Sequence, residues 1–61
     1  MPIVTVQIFP RDVETKRQLS KEITRVVSEI TKNKPEMIHV IFDEVKKENW
    51  SRDATLAIDR K

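Results

Sequence analysis

"DVETKRQLSKEITRVVSEITKNKP", residues 12–35, is the stretch on which the fold turns. Leu19, Ile23, Val26, Val27 and Ile30 recur at i, i+4, i+7, i+8 and i+11, one stripe of an amphipathic helix. Lys21, Glu22, Arg25 and Glu29 fall on the opposite, solvated side. Asp12 is suited to cap the helix, and Glu14 in the first turn complements the positive end of the macrodipole. At the far end Lys32 and Lys34 are basic, Asn33 is suited to a left-handed cap, and Pro35 forbids continuation. The spacing predicts a helix over residues 13–32.

Both flanks read as strands. From Ile3 to Phe9, Val4, Val6 and Ile8 share one face, while Ile3, Thr5, Gln7 and Phe9 share the other; Pro10 ends the run. Pro2 stands where a strand tolerates a residue without an N–H. Over residues 37–45, Ile38, Val40 and Phe42 alternate with His39, Ile41, Asp43 and Val45. After "KKENW" (46–50), the tail "SRDATLAID" (51–59) predicts a short strand or hairpin. The expected fold is α/β (α+β): one β-α-β unit with parallel strands, joined by a right-handed crossover. One helix covers one face of a two-stranded sheet, yet parallel sheets are buried on both. A second copy of the chain is the expected cover.

Composition points the same way. Sixty-one residues make a single domain, 1–61, and a chain this short buries only about 60% of the surface its unfolded form exposes. Small domains gain stability from disulfides, metals or oligomerisation. With no cysteine and one histidine, oligomerisation remains. The 12 basic and 10 acidic residues give a net charge of +2 and are well mixed, without the clustered excess of a nucleic-acid binder. No apolar stretch approaches the roughly 20 residues of a membrane span, and the N-terminus lacks the basic region of a signal peptide. A cytoplasmic protein with no nucleic-acid or membrane partner is expected. Glycine is absent, which directs left-handed turns to Asn33, Asn49 or an aspartate.

"MPIVTVQIF" (1–9), "PRDVETKRQLSKEIT" (10–24) and "IHVIFDEVKKENW" (38–50), in this order and spacing, resemble the 4-oxalocrotonate tautomerase family over nearly the whole chain. The resemblance implies a cofactor-free keto–enol isomerase acting on a small carboxylate substrate. It also implies a homohexamer built as a trimer of dimers, with active sites near subunit boundaries. The family's general base is an amino-terminal proline exposed by methionine removal, which falls here on Pro2. The family's carboxylate-binding, enolate-stabilising arginine falls on Arg11, after a loop that carries Pro10 where relatives often have glycine. Trp50 takes the position of an aromatic that lines the pocket, with Phe9 and Ile8 as further wall residues.

The chemistry is sound on its own terms. An unperturbed α-amino group titrates near 7.7–8.0, and burial beside a guanidinium disfavours its charged form. A base with a pKa near the working pH can accept a proton and return it elsewhere. The plainer readings are a strand opener for Pro2, a solvated side chain for Arg11 and a packing residue for Trp50. His39 stands where well-known members have a second arginine, so it offers a hydrogen bond in place of a permanent bidentate clamp. "SRDA" (51–54) replaces a glycine-rich turn, which implies a changed turn shape and introduces Arg52 as a new cation. Three other functions compete. One is a non-catalytic oligomer on the same scaffold, and another a decarboxylase or dehalogenase relative using Pro2 as an acid. The third is a nucleic-acid binder using Lys46, Lys47 and Trp50.

Overall fold

A computed structural model describes residues 1–60. Strand β1 runs Ile3–Ile8, helix α1 Val13–Thr31 and strand β2 His39–Glu44; a hairpin of β3 (Ser51–Arg52) and β4 (Thr55–Leu56) follows. Single turns of 3-10 helix occupy Pro35–Met37, Lys47–Asn49 and Ala57–Asp59. Strands β1 and β2 pair in parallel, from Ile3 opposite His39 to Ile8 opposite Glu44. The pairing runs one bond further at each end, His39 N–H to the Pro2 carbonyl at 3.0 Å and Val45 N–H to the Ile8 carbonyl at 2.8 Å. The expected β-α-β unit and hairpin are both present.

Boundaries shift for local reasons. Phe9 bends out of β1 before Pro10, and the 3-10 turn over Pro35–Met37 delays β2 from residue 37 to His39. Asp12 caps α1 as expected, accepting from the Thr15 N–H at 3.0 Å and the Thr15 hydroxyl at 2.7 Å. These bonds, the hydroxyl's foremost, hold the Asp12 carboxyl below its usual range. At the other end Lys32, and not Asn33, takes the left-handed conformation, with φ 64° and ψ 16°. Asn33 is fixed by two helix hydroxyls: its carbonyl accepts from Ser28 Oγ at 2.7 Å, and its N–H reaches Thr31 Oγ1 at 3.3 Å. The remaining positive φ values belong to Asp53 (54°) and Ala54 (61°). Of the residues the absence of glycine singled out, only an aspartate is used.

Leu19, Ile23 and Val27 of α1 are half-buried, as are Val4, Val6, Ile8, Val40 and Phe42 on one face of the sheet. Val26 and Ile30, expected on the same helix stripe, are 41% and 76% exposed. The sheet's other face is open: Ile3 is 57% and Ile41 51% exposed, with the Gln7 amide donating to Asp43 at 3.1 Å further along.

Among the described residues none is fully buried. The radius of gyration is 14.6 Å and the extents are 42 × 23 × 14 Å; a self-contained domain of this length has a radius of about 10 Å. The accessible surface is 5092 Å², against about 4,100 Å² for a folded monomer of this mass. A single copy is a thin slab with half a core. No described helix is long and apolar enough to cross a membrane.

Candidate active site

Two residues singled out by the sequence meet at the head of the sheet. Pro2 is half-buried immediately before β1, and its carbonyl accepts the His39 N–H at 3.0 Å. That bond ties the proline to the ladder and fixes its ring nitrogen relative to the strand. Met1, attached to that nitrogen, is 73% exposed. His39 lies on the open face, opposite Ile3.

Arg11 and Trp50 belong to the other end. The Arg11 N–H donates to Glu44 Oε2 at 2.9 Å, and Lys16 Nζ pairs with the same oxygen at 3.2 Å. These two partners, the Arg11 N–H foremost, hold the Glu44 carboxyl below its usual range. Glu44 thereby anchors the loop that carries Arg11 to the end of β2 and the first turns of α1. The Arg11 guanidinium is exposed and makes no ion pair with any described residue. It is held by its backbone and left with its whole donor fork available.

Trp50 leans on Phe9, ring centroids 4.8 Å apart and planes at 59°, a tilted arrangement that aromatic quadrupoles favour. Lys47 Nζ stands 5.9 Å from the Phe9 centroid, within cation–π range. The hairpin folds back on this pair through the Ala57 N–H, which donates to the Trp50 carbonyl at 2.7 Å. The result is a cavity of about 400 Å³ lined by Phe9, Lys47, Trp50, Arg52, Ala57 and Arg60. Phe9 and Arg52 reach this cavity, whereas Ile8 lies on the helix-facing side of β1 with Val4 and Val6. Arg60 was not apparent from sequence. Its signal lies in the hairpin: a chain that reverses after Arg52 returns residues 57–60 to the tryptophan.

The structure does not bring the two ends together within one copy. Six residues of β1 separate them, about 20 Å at the usual rise per residue. A small substrate that touches Pro2 of one chain cannot touch Arg11 of the same chain. No described group of histidines and acids is arranged to hold a metal ion.

Comparison with known proteins gives a consistent picture. The family model described as "Tautomerase enzyme" matches residues 2–57. A probable tautomerase of Halalkalibacterium halodurans is 41% identical over 51 residues, 82% of this chain and 84% of the relative. Among solved structures, YwhB, a homologue of 4-oxalocrotonate tautomerase, superposes with a TM-score of 0.92 at 31% identity, over 98% of this chain and all of its own. A heterohexameric 4-oxalocrotonate tautomerase from Chloroflexus aurantiacus J-10-fl has the same fold, with a TM-score of 0.92 over the full length of both chains at 14% identity.

Proposed function

Because this chain belongs to the tautomerase enzyme family, we propose that it is a cofactor-independent keto–enol isomerase whose general base is Pro2, freed by removal of Met1. Its substrates are small 2-hydroxy-dienoate or 2-keto acids of the 2-hydroxymuconate type. While Met1 is attached, the proline nitrogen is an amide and its lone pair is delocalised. Once free, it is a secondary amine that accepts the enol hydroxyl proton. The oxygen's electron pair then forms the carbonyl, the carbon–carbon double bond shifts, and the prolinium returns the proton to a substrate carbon. Protons and electrons balance, so no external oxidant or reductant is needed.

The observation that carries this reading is the anchoring of Pro2 by the His39 N–H while Met1 stands exposed. A base fixed by the sheet loses little freedom on reaching its reactive position. Arg11 supplies a planar fork for the substrate carboxylate and the developing enolate charge. Trp50 is an apolar wall that keeps water out, and His39 offers a hydrogen bond beside the base.

Since one copy separates Pro2 from Arg11, the reading requires neighbouring copies to complete each site. The open sheet face and the extended shape support self-association, and we take the assembly to be a homohexamer of paired dimers.

Intact mass and a rate assay test the chemistry together. Loss of one methionine is expected, and Pro2→Ala is expected to slow ketonisation of a dienol acid about 10²- to 10⁴-fold. An unchanged rate in the variant, or Met1 retained in the active protein, removes Pro2 from the mechanism.

A further inference from the structure

The cavity on the Phe9–Trp50 pair has a charge pattern the proposed proton transfer does not use. Among the described residues its lining carries Lys47, Arg52 and Arg60 and no acid. The acids of the same turns, Glu48, Asp53 and Asp59, neither line it nor pair with its cations. Every ion pair among the described residues lies elsewhere, on α1 or between α1 and Glu44. Three cations left unpaired around one hollow repel one another, a cost that a bound anion relieves.

The groups are also positioned. Arg60 donates through Nη2 to the Arg52 carbonyl, which holds its guanidinium to the rim by one of its five donors. Arg52 stands in β3, paired with Thr55 across the hairpin. Lys47 sits over the Phe9 ring, and the half-buried Trp50 supplies an aromatic wall. A volume of about 400 Å³ falls in the range of small-molecule sites. It suits one compact ligand better than a polymer tracked along a groove.

We propose that Arg52, Arg60 and Lys47 on the Phe9–Trp50 platform form an anion subsite that makes the protein selective for planar conjugated dianions over the corresponding monoanions. The flat π-system lies against the aromatic pair while a terminal carboxylate meets the guanidinium of Arg60 or Arg52. The cations around the cavity thus supply the second charge contact that His39 cannot. The subsite stands on the cavity alone; equating its ligand with the substrate's distal end rests on the tautomerase reading.

Two unreactive acids with one skeleton separate the possibilities: muconate, a conjugated dicarboxylate, and sorbate, in which one carboxylate is a methyl group. Calorimetric titration of the assembled protein, with quenching of the single tryptophan as a local readout, is expected to show muconate binding about tenfold tighter. That preference shrinks as salt rises. Arg60→Gln, Arg52→Gln and Lys47→Gln each reduce the ratio while leaving sorbate affinity unchanged, and Arg60→Lys restores part of it. Equal binding of the two acids by the unaltered protein overturns the proposal. So does a preference that survives the three substitutions combined, or tighter binding of an oligothymidylate than of muconate. Pro2→Ala separates the two levels: it slows turnover about 10²- to 10⁴-fold without changing the muconate preference. A protein with that preference and no tautomerase activity keeps the subsite and loses the enzymatic reading.

Discussion

Ala54 sits at φ 61° beside Asp53 at φ 54°, the left-handed pair that a two-residue hairpin turn requires. Aspartate tolerates that region because its short side chain bonds locally, whereas alanine's Cβ crowds the neighbouring carbonyl at a cost of about 1–2 kcal/mol. Ala54→Gly is therefore expected to stabilise the protein by about 1 kcal/mol. The gain reads out as a higher Tm at fixed protomer concentration; an unchanged or lower Tm refutes the strain. The sequence exposed this conflict without resolving it. "SRDA" lacks a glycine, which suggested that the turn changes shape. The turn that forms is a tight two-residue one, which the Ser51–Leu56 and Arg52–Thr55 pairs fix from outside. Local preference lost to pairing at that position, whereas at the end of α1 the Ser28 and Thr31 hydroxyls hold Asn33 and leave the left-handed conformation to Lys32.

At the scale of elements, Glu44 joins three of them: the end of β2, the loop before α1 through the Arg11 N–H, and α1 through Lys16. Its carboxyl is depressed in the folded state. Its contribution to stability is therefore complete above the unfolded glutamate value and lost as pH falls through the folded one. Glu44→Gln is expected to lower Tm at neutral pH, and the gap to the unaltered protein is expected to close under acid. A gap independent of pH refutes the linkage. The difference between the two proteins isolates this group from Asp12, which titrates in the same direction. The main elements were legible because periodicity is local: alternation gives β1 and β2, and the Leu19–Ile23–Val27 stripe gives α1. Arg60 was not, because its place depends on how the hairpin folds back, a contact between residues far enough apart that no spacing rule encodes it.

For the whole molecule, the separation of Pro2 from Arg11 by the length of β1 means that the proposed active site draws on more than one copy. Pro2→Ala and Arg11→Ala are each expected to be nearly inactive alone. Refolded together in equal amounts, they are expected to recover about one quarter of normal activity, the share of shared sites that draw both intact residues. No recovery refutes a site built between copies. From the uncovered face of the sheet the sequence led to the expectation of a second copy. It placed Phe9 and Trp50 on one pocket wall by resemblance but gave no sign that Lys47, Arg52 and Arg60 gather around them, since that gathering rests on the Ala57–Trp50 bond and the path of the tail.

That no side chain among the described residues is dry in one copy bears on how the protein comes into being. A ribosome releases these chains singly, and each begins with too little interior to outlast a protease. In the proposed assembly a newborn chain's survival depends on how soon it meets a sibling, and yield is expected to rise faster than in proportion to synthesis. Output at low expression is then expected to be limited by encounter rather than by translation, with a scarce transcript giving disproportionately little folded protein.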